Sequence, residues 1–275
     1  MPSTASLQVK KPGQIDDSSQ NDNSGQHGGR DGLEIENPQA VVAGKSISQW
    51  TDDWWRWGLQ APNNPALNPL LDTNGHAAQF NNNGKVFFIA GTCPGGEVTR
   101  SLHVPADKPV LFPMINAFDT EGPGIESLAN FKGSFADEAK LVTDLTRNSI
   151  YDAFVKITRV GDSKPLVDLH FPATSKFSEN SEIFALGSPK PGSLLESLFG
   201  PALPLDPSVA NLPFTRSTGD WLMIDDLRPG DYKLDFGGHG HEVKDPTVAG
   251  PTAGTLFAEG WGSVVHDTLH VGGHS

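Results

Sequence analysis

The sequence has a single cysteine, more acidic than basic residues and no long hydrophobic run. Because Cys93 has no second cysteine to pair with, an intramolecular disulfide is excluded. The 20 Lys and Arg against 33 Asp and Glu give a formal net charge of -13, which would repel the phosphates of nucleic acid or of an anionic membrane. No window approaches the roughly 20 apolar residues of a membrane helix. We therefore predict an acidic soluble protein without a nucleic-acid partner or a transmembrane segment.

Charged residues are also scarce, whereas turn-forming residues are abundant. Only 19% of the chain is charged, and it contains 30 Gly and 22 Pro, which favours short strands and turns over a helical bundle. Residues 1–32 are polar and rich in Ser, Asn, Asp, Gln and Gly, so we predict a disordered tail. This tail lacks the apolar core of a secretory signal. Residues 33–275 are predicted to form a single domain.

The densest aromatic stretch is residues 46–57, which hold four of the six tryptophans. Ile47, Trp50, Trp54 and Trp57 recur at helical spacing and predict one apolar helix face. Ser46 and Gln49 fit a capping box at its start. Trp55 lies outside this apolar face. It is either part of a structural plug or a platform that stacks on a sugar or forms an interface.

The rest of the chain reads as short strands joined by Gly and Pro turns. Residues 85–91 are apolar on both faces and predict a central strand. A second helix is predicted after its capping residue Ser134. Together these patterns predict a mainly β protein, an antiparallel β-sandwich of immunoglobulin-like or jelly-roll-like type with the Trp-rich helix and one further helix inserted.

Four residues are candidates for contact with a ligand: Trp55, Arg100, Asn116 and Trp261. Two exposed, coplanar tryptophans would favour carbohydrate binding. Arg100 lies on the apolar side of an alternating strand and Asn116 ends another apolar run, so both are candidates for buried polar groups. A buried arginine needs a carboxylate, which makes Arg100 either a structural tie or the floor of an anion-binding pocket.

A metal site is a separate hypothesis, carried by His239 and His241. Alternate residues of a strand point to the same face, so two imidazoles at this spacing can chelate one metal ion. His266 and His270 could complete the site if the last strand pairs beside it. The predicted ion is a divalent metal such as zinc, iron, manganese or calcium, and the alternative is that the pair lies in a solvated loop.

Acidic residues offer a weaker signal. Asp119, Glu121, Asp225 and Asp226 could serve glycoside hydrolysis or calcium binding, or they could be solvated acids and structural ion pairs. No nucleophile elbow, phosphate loop or dinucleotide fingerprint is present in the sequence. Without a defined histidine partner, Cys93 is interpreted as structural.

Several segments together resemble a known group of sequences: the Trp-rich helix, residues 86–92 with the following Gly95, Gly96 and Arg100, residues 104–116, and residues 227–236. They are similar to uncharacterised bacterial, often exported, proteins in which a Trp-rich helix precedes a β-sandwich. The resemblance covers about half of the chain. It implies one continuous domain and an extracellular or cell-surface location, and it implies no activity.

Three functions are consistent with the sequence. The leading hypothesis is a non-catalytic binding protein whose partner is a small molecule, a glycan or another protein. The alternative is a metal-dependent enzyme, a hydrolase or oxygenase, that uses the His-x-His pair. The third is a structural or assembly protein.

Overall fold

A computed structural model gives the structure of the protein and describes residues 33–171, 175–200 and 208–272. The predicted tail, residues 1–32, lies outside the described residues. The described chain is mainly β, as predicted, with three helices among these residues. Among them, no helix combines the length and the apolar character needed to cross a membrane.

Two five-stranded sheets hold most of the strands. The first sheet contains β1 (Glu34–Ile35), β4 (Phe87–Phe88), β6 (Val110–Glu121), β9 (Ser178–Asn180) and β10 (Phe214–Asp225). The second contains β5 (Gly96–Val104), β7 (Ile150–Arg159), β8 (Val167–Phe171), β11 (Gly230–Gly240) and β14 (Trp261–Val271). Two small sheets pair β2 (Val41–Val42) with β3 (Lys45–Ser46) and β12 (Val243–Lys244) with β13 (Thr255–Phe257). The helices are α1 (Ile47–Leu59), α2 (Phe135–Ser149) and α3 (Leu194–Phe199).

Both large sheets are mixed, so the prediction of purely antiparallel sheets is wrong. The strand order is β1-β10-β6-β4 in the first sheet, with β9 also on β10, and β5-β14-β11-β7-β8 in the second. Most pairs are antiparallel, but β4 runs parallel to β6 and β5 runs parallel to β14. The chain leaves β4 for β5 in the other sheet before it returns to β6, and this crossover lets β4 and β6 run in the same direction.

The two large sheets share one hydrophobic core. Phe112 of the first sheet and Phe236 of the second are both fully buried, with ring centroids 5.0 Å apart. A second core lies on the other side of the first sheet, where Trp54 of α1 packs against Trp221 of β10. The first sheet is therefore buried on both faces, between α1 and the second sheet.

Helix α1 forms as the sequence predicts. Ser46 accepts a hydrogen bond from the amide of Gln49, and the Gln49 side chain accepts one from the amide of Ser46, which completes the capping box. Trp50 and Trp54 are buried, whereas Trp57 is only half-buried. Such a short helix gains its stability from this packing rather than from propensity.

The prediction of a central strand over residues 85–91 is correct about burial and wrong about position. Only Phe87–Phe88 are extended, and this strand stands at the end of the sheet path, paired with β6 alone. Phe87 faces the core between the sheets, whereas Phe88 faces α1. The apolar run on both faces thus reflects coverage by the helix and the second sheet, not strands on both sides.

Candidate functional site

A cavity of about 180 Å³ lies where α1, β6, the loop at residues 91–95, the end of β13 and the start of β14 meet. Helix α1 contributes Trp54 and Trp55, and β6 contributes its stretch from Ile115 to Phe118. The end of β13 adds the ring of Phe257 and the start of β14 adds that of Trp261, and the centroids of these rings are 5.1 Å apart. Five of the 17 lining residues are aromatic and most of the others are apolar, which is the usual composition of a small-ligand site.

Three of the four predicted ligand-contact residues line this cavity: Trp55, Asn116 and Trp261. Trp55 is 7% exposed and packs against Trp54 and Phe118, at centroid distances of 4.9 and 4.6 Å. Trp261 is half-buried, and its indole N–H donates to Ser149 Oγ at 3.1 Å. The two rings do not form the exposed pair that a sugar platform needs, because Trp55 is enclosed by its neighbours.

Two of these residues carry N–H groups without a hydrogen-bond partner in the described part of the chain. The indole Nε1 of Trp55 and the amide Nδ2 of Asn116 are both buried and unpaired. A buried donor without an acceptor costs about 1–3 kcal/mol. Both residues border the same cavity, but the two nitrogen atoms themselves have less than 1 Å² of accessible surface, so a ligand would pair with them only after the side chain turned toward the cavity.

The cavity wall carries no formal charge. Its polar members are Asn116, Thr92, Ser263 and the Cys93 thiol, and no Asp, Glu, Lys, Arg or His is among the lining residues. Burial raises the pKa of the Cys93 thiol, which keeps it neutral. A charged ligand would lose its hydration here without gaining a counter-ion.

Arg100, the fourth predicted residue, lies behind the cavity wall. Its Nε and Nη2 donate to the two carboxylate oxygens of Asp267 at 2.9 and 3.0 Å. Nη2 also donates to the carbonyl of Ala90 at 2.6 Å, and Nη1 donates to that of Gly91 at 3.3 Å. The sequence left Arg100 as either a structural tie or the floor of an anion-binding pocket, and this geometry supports the structural tie. The tie fixes the backbone of Gly91, which lines the cavity.

The four predicted metal-ligating histidines each have their own carboxylate partner. His239 faces Asp152 at 3.5 Å, and His241 faces Glu259 at 3.0 Å. His266 and His270 contact Asp235 and Asp231 at 2.7 and 2.8 Å. Strand β14 does pair with β11, but the register sets His239 opposite Gly262. In the described ranges, no group of three or more His, Cys, Asp or Glu side chains is placed to hold a metal ion.

His266 makes the stability of the protein depend on pH. Hydrogen bonding to Asp235 raises the pKa of His266 above its ordinary value of 6.5, and Glu97 on the other side adds to this. Because the folded pKa is raised, the contribution is fully present below pH 6.5 and is lost as pH rises through the folded pKa. We expect His266→Gln to be destabilising at pH 5.5 and close to neutral at pH 9, measured by urea denaturation. An equal loss at both pH values would contradict this.

Asp119 and Glu121 form a buried acidic pair at the end of β6. Ser127 donates its hydroxyl to Asp119 and its amide to Glu121, at 2.9 and 3.0 Å. Burial, reinforced by Asp119, raises the pKa of Glu121 to about 10. At neutral pH Glu121 therefore holds a proton, and burial also raises the pKa of Asp119. The adjacent Asp225 and Asp226 lie at the far end of β10 and are not part of this group.

The proton on Glu121 gives a second prediction about how stability depends on pH. Between the ordinary glutamate pKa of 4.5 and about 10, the folded protein retains a proton on Glu121 that the unfolded chain has lost, so stability falls as pH rises. We expect Glu121→Gln to weaken this dependence, so that the variant gains stability relative to the original protein between pH 5 and pH 8. Parallel urea titrations at the two pH values measure this. An unchanged difference would show that Glu121 is ionised in the folded state.

Sequence reasoning missed Phe118, Phe257 and Cys93 as members of the cavity wall. Phe118 lies two residues beyond Asn116 on β6, so its place on the same face follows from strand alternation once the strand is extended that far. Phe257 ends the short strand β13 and Cys93 lies in the loop after β4, and no local pattern marks either residue as part of the site. Comparison with protein-family models, with curated proteins and with solved structures found no match to this chain.

Proposed function

We propose that the protein is a β-sandwich binding protein, not a catalyst, and that its ligand occupies the aromatic cavity. The observation that carries the proposal is the uncharged cavity wall, which includes five aromatic side chains and the polar side chain of Asn116. Trp55 and Asn116 on this wall also hold unpaired buried N–H groups, which an acceptor oxygen of a ligand would satisfy once the side chain turned toward the cavity.

The cavity selects for a neutral, ring-shaped ligand. Its volume of about 180 Å³ is close to that of engineered cavities of roughly 150 Å³ that bind benzene. The aromatic walls favour a flat apolar ring, and the absence of charge among the lining residues disfavours carboxylates, phosphates and ammonium groups. A small neutral molecule therefore fits better than an extended glycan.

The metal-dependent enzyme is the less supported proposal. The histidines that it requires are each hydrogen-bonded or ion-paired to a separate carboxylate. Its test is elemental analysis of the protein and of His239→Ala/His241→Ala. Stoichiometric metal lost in the variant would favour the enzyme over the binding protein.

Benzamide and benzoate make a matched pair of probes for the binding proposal. Benzamide is neutral with a carbonyl acceptor, whereas benzoate has nearly the same shape and carries a charge. We expect benzamide to bind at least tenfold more tightly than benzoate, measured by calorimetry. We also expect Ala117→Leu, which adds carbon atoms to a cavity-lining residue, to weaken benzamide binding about tenfold.

The control is the same substitution at an exposed position, Ala66→Leu. Ala66 lies away from the cavity wall, so benzamide affinity should not change. Equal binding of the two probes, or equal affinity for both leucine variants, would place the ligand outside the cavity and contradict the proposal.

A further inference from the structure

Strand β6 has one long edge that the rest of the structure does not pair. The strand is 12 residues long, and β4 pairs only with Val110 and Leu111. The next contact on that side is the Ile89 amide, which donates to the carbonyl of Leu111 at 3.0 Å. Over residues 112–119, the described chain shows no backbone hydrogen bond on this side of β6. An unpaired edge of this kind is a template for another strand.

The register shows which backbone groups point to that edge. On β10, Thr215 exchanges backbone hydrogen bonds with Phe184, and the Ser217 carbonyl accepts from Ser181, so both residues point away from β6. Thr218 and its alternate neighbours must then bond to β6, and Thr218 is opposite Ala117. It follows that Asn116 and Phe118 direct their backbone N–H and C=O groups to the unpaired edge.

This edge and the aromatic cavity belong to the same site. Asn116 and Phe118, whose backbone groups are free, also line the cavity. Across the cavity from β6 stand the glycine-rich loop at residues 91–95 and the start of β14 at Trp261–Ser263. A Cβ atom on Gly95 would lie 2.6 Å from the carbonyl oxygen of Gly262, so the two backbone segments lie against each other and form this side of the cavity.

Resting on the proposed function, we propose that the cavity receives an extended peptide segment of a partner protein. The segment adds a strand to β6, exchanges backbone hydrogen bonds with Asn116 and Phe118, and inserts one neutral apolar or aromatic side chain into the cavity. Main-chain pairing supplies affinity in such complexes, and the side-chain pocket supplies specificity.

Charge favours a separate peptide over a second copy of the chain. Each copy has a formal net charge of -13, so two copies brought together along one edge would repel each other. The cavity wall is uncharged, so the inserted side chain should be neutral while the flanking residues of the peptide are free to be basic.

The test is selection from a displayed library of random heptapeptides on the full chain, followed by synthesis of the best peptides with blocked termini. Each peptide is then made in two forms, N-methylated either at the amides on one side of the strand or at the alternate amides. We expect one form to bind at least tenfold more weakly and the other to bind nearly as well as the parent. Amide hydrogen exchange should show new protection at Asn116 and Phe118.

Benzamide separates the two proposals. Peptides that bind with the expected N-methyl pattern and compete with benzamide support both. Benzamide binding without peptide enrichment, or peptides insensitive to both N-methylations, keeps the proposed function and overturns the peptide. Failure of benzamide and peptides alike overturns both. Protection of the Asn116 and Phe118 amides that depends on protein concentration, with a dimer in light scattering, would assign the edge to a second copy instead.

Discussion

Trp54→Ala is expected to destabilise the protein by about 4 kcal/mol, since removing a fully buried Trp or Phe side chain typically costs 3–5 kcal/mol. Trp54 is 1% exposed and belongs to the second core, which lies between α1 and the first sheet. Its ring centroid is 5.2 Å from that of Trp221. Its indole N–H donates to the carbonyl of Ile89 at 2.9 Å, so the substitution also leaves this carbonyl unpaired. Urea denaturation followed by far-UV circular dichroism measures the change.

Two control variants separate packing from hydrogen bonding. Trp54→Phe keeps most of the ring and loses the bond to Ile89, so we expect a smaller cost of about 1–2 kcal/mol. Trp57→Ala removes a half-buried ring from the same helix and should cost less than Trp54→Ala. If Trp54→Ala cost no more than Trp57→Ala, the helix would not anchor the sheet as the packing indicates.

Local features of the fold could be predicted from the sequence because their causes are local. The capping box of Ser46 and Gln49 and the cap at Ser134 each involve residues within one helical turn, and both form as predicted. The strand that contains Arg100 also follows from its alternation, with Arg100 buried. The sheet partners could not be predicted, because pairing joins residues far apart in sequence. This is why the two parallel pairs were missed.

The candidate site could be predicted in part, for the same reason. Trp55 and Trp261 stand out as aromatic residues, and Asn116 stands out as a polar end to an apolar strand, so residue type alone selected them. Their convergence on one cavity depends on the fold. The histidines show the opposite case, because β14 does lie beside β11, yet the register places His266 opposite Asp235 and not beside His239. A register cannot be read from spacing within a single strand.

The fold and the site meet at the ion pair of Arg100 and Asp267. The two side chains are 2% and 0% exposed, and the arginine also binds the carbonyls of Ala90 and Gly91. Ala90 belongs to the second core, between α1 and the first sheet, and Gly91 belongs to the cavity wall. One guanidinium therefore holds together β5, β14 and the chain segment after β4, and it fixes one rim of the proposed peptide site.

Arg100→Met is expected to destabilise the protein by about 3–5 kcal/mol at pH 8, because removing one partner leaves a buried charge uncompensated. Burial raises the pKa of Asp267, and Arg100 works against that rise. Without the arginine the pKa of Asp267 rises further, so the folded variant takes up a proton that the unfolded chain releases. Stability then falls as pH rises from the unfolded pKa of 3.8 toward the folded value. The loss should therefore be smaller at pH 5 than at pH 8.

Arg100→Met/Asp267→Leu decides whether the lost stability comes from the unpaired charge. Removing both partners leaves no buried ion, and such replacements are often neutral or stabilising. We expect the double variant to recover most of the stability and to lose the extra pH dependence of Arg100→Met. A double variant as unstable as the single one would show that the bonds to Ala90 and Gly91 carry the effect. In that case benzamide affinity should fall as well, because the cavity rim would no longer be held in place.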